Sequence, residues 1–431
     1  MTSKRNYPVG SDFFIRNRKK LLERLPAGSL AILHSNDELL RNGDQDYPFR
    51  QNSDLFYLTG LVQEKTLLAL CPGHPDEELR EIVFTLQPNE KLETWTGHKY
   101  TPDEIRETSG VTTVKWLEEY EGVIRNLAVL SKVIFLNTNE YPKYTTDVRY
   151  RNERAAEKLK REYPLHEYAR LAPILAELRM VKEPEEIDCM RQASELTGKA
   201  FGRVLKELKP GMMEYEIEAG ITYEFLKNGR HKHAYAPIIA SGRNGLALHY
   251  TENSGVCRDG DMLLMDFGAE FNHYAADCSR TVPVNGKFTK RQRECYEAVL
   301  EIFKEGRKLL VPGNTIRDIN REVQLMMEKK LSGLGLVSEQ ELKKQEKPGS
   351  LAGKYLMHGV SHFIGLDVHD VGSIYETLRK GMVLTFEPGL YIQKEGLAIR
   401  IENDVMVDTP PVDLMESIPV EIDDIESLMN I

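Results

Sequence analysis

Residues 263–284 read LLMDFGAEFNHYAADCSRTVPV, and two of them, Asp266 and Asp277, set a problem that the rest of the chain must solve. Apolar residues crowd both arms, which predicts a pair of buried strands with residues 270–273 as the polar turn between them. The midpoint of Asp266 and Asp277 lies between Phe271 and Asn272. An antiparallel pair folded there sets the two carboxylates directly opposite, with Cβ atoms about 4.5 to 5.5 Å apart. Like charges facing one another with so little polar cover are destabilising unless something positive lies between them, and a divalent cation is the simplest candidate. The alternative is one carboxyl protonated, or paired with Arg280 on a solvated face; the hairpin alone fits either.

Bulk properties narrow the field. The 431 residues exceed what one core usually serves, so two domains are expected. Lys plus Arg total 57 and Asp plus Glu 67, a net charge of −10, which argues against a nucleic-acid partner or an anionic membrane surface. No apolar run nears the ~20 residues of a membrane span, and the start MTSKRNYPVG lacks the apolar core of a signal peptide. The cysteines Cys71, Cys189, Cys257, Cys278 and Cys295 are odd in number and lack CxxC spacing, which predicts reduced thiols in a cytoplasmic chain. Cys278 adjoins Asp277, but strand alternation turns it to the opposite face and into the core.

Up to about residue 170 the chain alternates strand-like runs (29–35, 66–71, 81–86, 133–137) with helical patterns (12–24, 102–108, 118–130, 151–162), an α/β layer arrangement. No metal cluster, phosphate loop or nucleophile motif stands out there. The stretch YPFRQNSDLFYLTG, residues 47–60, reads by composition as a packing and turn element. Trp95, in the polar setting ETWTG, suggests an exposed edge or interface, although a partly buried tryptophan is the commoner case.

A boundary falls within residues 171–182. Beyond it a helix starts at Pro184, with Ile187, Met190, Thr197, Phe201, Val204 and Leu208 forming an apolar stripe, and stops at Pro210-Gly211 before a second helical pattern over 214–226. The same order recurs: helix over 291–310, stop at Pro312-Gly313, helix over 315–331. Helix, Pro-Gly turn, helix, strands repeated in this way reads as an internal duplication. The first half ends in the aspartate hairpin; the second ends in MVLTFEPGLYI and GLAIRIENDVMV, which carry Glu387 and Glu402. Alternation puts Arg400, Glu402 and Asp404 on one face and Ile399 and Ile401 on the other. Two carboxylates from each half, meeting at a seam, make an oxygen-rich site for two metals. Between them KYLMHGVSHFIGLDVHDVG supplies His358, His362, His369 and Asp370. His358 and His362 have helical spacing, yet Gly359 and Gly365 argue against a regular helix.

The set MDFGAE, AADCSRT, HGVSHFIGLDVHD, TFEPGLY and IRIEND resembles the M24 metallopeptidases of the pita-bread fold, and within them the aminopeptidase P (Xaa-Pro aminopeptidase) group. YPFRQNSDLFYLTG is similar to the creatinase-like amino-terminal domain that precedes that catalytic domain. The resemblance implies an α/β domain over 1–172 and an α+β pita-bread domain with a pseudo-two-fold duplication over 173–431. It implies two divalent ions, manganese foremost with cobalt or zinc as alternatives: Asp266 chelating one, Asp277 and Glu402 bridging both, His362 and Glu387 binding the other. Hydroxide made at such a centre would attack the amide that joins an N-terminal residue to proline. Glu387 is the implied proton shuttle, and His249 and His369 the implied holders of the substrate carbonyl and tetrahedral intermediate. His358, Tyr391 and Arg400 are the implied pocket for the proline ring. Some relatives close the site with a neighbouring subunit's tryptophan, where Trp95 stands; this implies a homo-oligomer, dimer or tetramer.

Two rivals follow. Prolidase, on the same fold, acts on Xaa-Pro dipeptides, and Ser361 and the YPFRQNSD stretch speak against it. A pita-bread binding module without metals would not need all five ligand types retained. The charged stretch over 331–353 reads as a surface excursion of unexplained length, and VEIDDIESLMN as a terminal helix.

Overall fold

The computed structural model describes residues 9–143, 146–229 and 232–430. The chain divides into two compact units, Met1–Arg179 and Met180–Ile431. The division falls at the end of helix Ala172–Met180, later than the expected 172/173. The reason lies in what that helix touches: Tyr57 donates to the Leu178 carbonyl at 3.3 Å, and Arg179 meets Asp54 at 2.6 Å, so it packs with the first unit.

The first unit is a six-stranded mixed sheet with helices, in the order Thr113–Trp116, Glu81–Thr85, Leu67–Leu70, Ser29–His34, Val133–Leu136, Glu167–Arg170. The four apolar strands match the sequence pattern. The two outermost do not announce themselves, because their side chains are half-buried or exposed and nothing forces alternation. The 47–60 stretch is a correction: it holds a helix, Ser53–Thr59, whose five last residues are all buried. Asn52 caps it, its Oδ1 accepting from the Asp54 and Leu55 amides, and Gly60 ends it at φ 67°.

His34, buried at the end of its strand, gives this unit a built-in acid weakness. Burial, with Arg151 adding to it, lowers the imidazole from 6.5 to about 3. An unfolded chain takes up the proton near 6.5 and the folded one resists it to about 3. The contribution to stability is therefore intact above pH 6.5 and lost as pH falls through that window, roughly 2.5 kcal/mol by pH 4.5. His34→Phe keeps the edge-on contact with Tyr120 and has no proton to refuse. The urea midpoints at pH 7.5 and 4.5 are expected to draw together in this variant; an unchanged gap would place the acid sensitivity elsewhere.

The second unit carries the duplication. Helices Pro184–Glu207 and Glu214–Lys227 are answered by Lys290–Gly306 and Ile316–Gly333, and their stripes, including Phe201, Val204, Val299 and Phe303, enter one core with Leu263, Met265, Leu384, Phe386, Ile399 and Ile401. Each such buried side chain contributes about 1.5 to 3 kcal/mol by leaving water. The 331–353 stretch contains a short helix, Glu339–Lys344, and the chain closes with helix Ile422–Met429.

The aspartate hairpin differs from expectation in register. Met262–Phe267 pairs with Cys278–Pro283, and Ala269–Phe271 with Tyr274–Ala275, so the turn is only Asn272-His273. Both residues have positive φ, 48° and 68°, the requirement of a type I′ turn, and that turn fixes Phe271 opposite Tyr274. Counting back, Asp266 faces Ser279 rather than Asp277. The ladder is interrupted at Gly268 and Ala276-Asp277, where the strands approach so closely that a Cβ on Gly268 would lie 1.7 Å from the Ala276 carbonyl oxygen. The second hairpin is interrupted likewise: Val383–Phe386 pairs with Asn403–Met406 and Gly389–Ile392 with Leu397–Arg400, leaving Glu387 and Glu402 at the breaks.

Candidate metal centre

Breaks in the two ladders free backbone amides that would otherwise be spent within each hairpin, and these amides join the pieces. The Glu402 amide donates to the Ser279 carbonyl at 3.1 Å, the Asp277 amide to Asp404 Oδ2 at 3.1 Å, and the Glu387 amide to the Val360 carbonyl at 2.9 Å. Carboxylates placed at the breaks are thereby turned towards one seam. Asp277, His362 and Glu402 each offer a liganding atom within 4.8 Å of the others. Glu387 Oε1 lies 3.7 Å from His362 Nε2, and Asp277 Oδ2 lies 3.5 Å from the same nitrogen. Asp266 joins through Tyr235, whose hydroxyl sits 2.6 Å from Asp266 Oδ1 and 2.5 Å from Asp277 Oδ1.

Charge at this seam is poorly balanced by protein groups. Burial first and neighbouring carboxylates second push Asp277, Glu387 and Glu402 well above the usual carboxylate range, and Asp404 follows for the same reasons. Tyr235 has one hydroxyl hydrogen between two acids and is itself held well above 10 by burial and by Asp266. The cation at hand is Arg400, which donates to Asp266 at 2.6 Å, Tyr391 at 2.7 Å and Ser279 at 2.7 Å. Arg280 does not serve: it is buried and donates to the carbonyls of Ser279, Glu402, Ile418 and Pro419 and to Asn403. A cluster of oxygen donors with one imidazole, short of positive charge, fits hard or borderline divalent cations. Asp277, His362 and Glu402 could hold one, and Asp266 and Glu387 extend the donor set on either side.

His362 sits in irregular backbone, as Gly359 and Gly365 led one to expect. Its amide donates to Thr385 Oγ1 and its carbonyl accepts from the Thr385 amide, which pins it to the strand ahead of Glu387. His369 stacks on it, ring centroids 4.1 Å apart and 9° from parallel. The next residue, Asp370, forms a buried pair with Lys182 at 2.9 Å, and the Gly365 carbonyl accepts from Ala275 of the first hairpin. His358 Nε2 lies 2.8 Å from the Tyr391 hydroxyl, and burial with Arg400 lowers its pKa to about 4, so it is neutral at pH 7. His249 is exposed, near enough to His358 for its charge to oppose protonation there. Tyr235, Ser279 and Thr385 escaped the sequence reading. Tyr235 lies far from either aspartate along the chain and meets them because Ile238–Ser241 pairs with Met262–Phe267, with Ile238 opposite Asp266.

Comparison with known proteins gives a consistent picture. The profile of metallopeptidase family M24 matches residues 188–409, and that of the aminopeptidase P N-terminal domain residues 14–135. The chain is 36% identical over 439 residues to the Xaa-Pro aminopeptidase of Escherichia coli strain K12, covering 96% of this chain and 97% of that protein. It is 30% identical over 411 residues to human Xaa-Pro aminopeptidase 3, covering 92% and 80% respectively. Two E. coli aminopeptidase P structures, one zinc-substituted with product and one with the inhibitor Pro-Leu, each match at TM-score 0.87 and 35% identity over 98% of both chains.

Proposed function

The chain belongs to metallopeptidase family M24, and on that premise we propose its reaction residue by residue. It is a metal-dependent Xaa-Pro aminopeptidase, a hydrolase that removes the N-terminal residue ahead of a penultimate proline. The observation that carries this reading is the convergence of Asp277, His362 and Glu402 at the seam of two interrupted hairpins, in a chain alike over its length to Xaa-Pro aminopeptidases. Asp266 would hold one divalent ion, His362 and Glu387 the other, and Asp277 and Glu402 both; manganese is the proposed native metal. When bound, the ions supply a water acidic enough to react near neutral pH and a Lewis acid for the scissile carbonyl.

The protein's own groups do the rest. Glu387 accepts a proton from the attacking water as the oxygen-to-carbonyl-carbon bond forms, and returns it to the proline nitrogen as the carbon–nitrogen bond breaks. His249 and His369 donate to the carbonyl oxygen as it gains charge. Neutral His358, with Tyr391 and Arg400, shapes the wall against which the proline ring and following residue lie. Asp266 and Arg400 form an ion pair at one end of the cluster.

Metal-loaded protein given an Xaa-Pro-Yaa tripeptide and an Xaa-Pro dipeptide is expected to release the first residue from the tripeptide. Cleavage of the dipeptide alone would make the protein a prolidase. We further propose a homo-oligomer in a reducing cytoplasm; the five buried free cysteines and the exposed Trp95 support these readings. Among the described residues no helix is long and apolar enough to cross a membrane.

A further inference from the structure

Glu214, at the start of helix Glu214–Lys227, is fully buried, yet it lies outside the metal centre and has no part in the chemistry above. Its carboxylate accepts four hydrogen bonds, two on each oxygen. Oε1 takes the Ser241 amide at 2.7 Å and Asn244 Nδ2 at 2.9 Å; Oε2 takes the Gly255 amide at 2.6 Å and the Tyr250 hydroxyl at 2.8 Å. These donors come from both ends and the middle of the segment 241–255, at whose outer part His249 stands exposed. The Tyr250 hydroxyl in turn accepts from Asn244 Nδ2 at 3.1 Å and from the Ser254 amide at 3.3 Å, so the residue next to His249 is tied on three sides. One helical turn on, Glu218 accepts from Asn253 Nδ2 at 2.8 Å, and Asn253 Oδ1 accepts from the Ile239 amide.

We infer that Glu214 is the positioning residue for His249: its carboxylate closes the 241–255 loop and so fixes where that imidazole stands. Leu246, Leu248 and Tyr250 pack against Ile238, Leu264, Tyr391 and Ala398, but apolar packing is not directional and His249 itself is exposed, and displacing a transition-state donor by about 1 Å can cost up to 10²-fold. Four charge-assisted bonds to one buried carboxylate remove that freedom. No amide side chain can replace it, since either orientation of a glutamine sets an NH2 group against a pair of donors. The inference rests on the role proposed above for His249.

Glu214→Gln is the test, made in the full metal-loaded chain with an Xaa-Pro-Yaa tripeptide. We expect kcat to fall about tenfold or more with KM little changed, metal content retained, and amide exchange over 241–255 accelerated. On a His249→Ala background, itself down roughly 10²-fold, the same substitution should cost almost nothing further. Losses that multiply in the double variant, or exchange over the loop that stays slow, would overturn the inference. Tyr250→Phe and Asn244→Ala each remove one of the four bonds to the Glu214 carboxylate and repeat the test more mildly should Glu214→Gln fail to fold. A silent His249→Ala would sink the assignment of that histidine, while exchange would still report whether Glu214 holds the loop.

Discussion

Asp277→Asn is expected to lower kcat/KM for an Xaa-Pro-Yaa peptide by roughly 10³-fold or more, the equivalent of about 4 kcal/mol of transition-state stabilisation, while leaving the chain folded. Asp277 touches three parts of the site: it is 3.5 Å from His362, bonded to Tyr235, and in the same cluster as Glu402. An asparagine has the same shape but only one acceptor oxygen and no charge, so it can neither bridge two cations nor help deprotonate a water. The fold should survive because the bond that locates the residue is made by its backbone amide, to Asp404, and is untouched. Stability without metal should even hold or rise, since burial and Asp266 already push the Asp277 carboxyl towards its neutral form and the amide is neutral from the start. The thermal shift that divalent ions give the wild-type protein should shrink with the lost affinity. Turnover near the wild-type rate, with metal bound, would remove Asp277 from the centre.

Part of this site was legible in the sequence because the strands that lead into its breaks alternate apolar and polar residues. Ile399 and Ile401 enter the core, so Arg400, Glu402 and Asp404 had to share the opposite face, and they do. What failed to show was set by conformation rather than by pattern. The register of the aspartate hairpin turns on whether Asn272 and His273 adopt positive φ; asparagine does so readily, but histidine gives a weak signal, and the error moved Asp266 from Ser279 to Asp277. Even so the two acids converge, because Asp277 stands two residues from Ser279 and so lies diagonal to Asp266 on the same face, and Tyr235 closes the gap. Tyr235 itself was invisible, since no local spacing relates it to residues it meets only through strand pairing. The helix Ser53–Thr59 was masked by the aromatic and turn-forming residues around it, although its cap, Asn52, and its stop, Gly60, were both in view.

The charge balance at the seam yields the second large effect. Arg400 is 3% exposed and gives its guanidinium to Asp266, Tyr391 and Ser279, beside Glu402 and Glu387. In metal-free protein it is the chief positive charge set against these acids. Arg400→Met, which keeps the length and loses the charge, should therefore cost about 3 to 5 kcal/mol without metal, the usual result of removing one partner from a buried pair. For a unit of this size that corresponds to a melting temperature lower by on the order of 10 °C. Divalent ions supply the missing charge and bind the folded state alone, so their addition should raise the melting temperature of the variant more than that of the wild type. The comparison separates two readings of the same contacts. If Arg400 acts through charge, the gap between variant and wild type narrows as metal is added; if it acts by filling space between the hairpins, the gap is the same at every metal concentration, and the account of the seam as a set of acids awaiting cations fails.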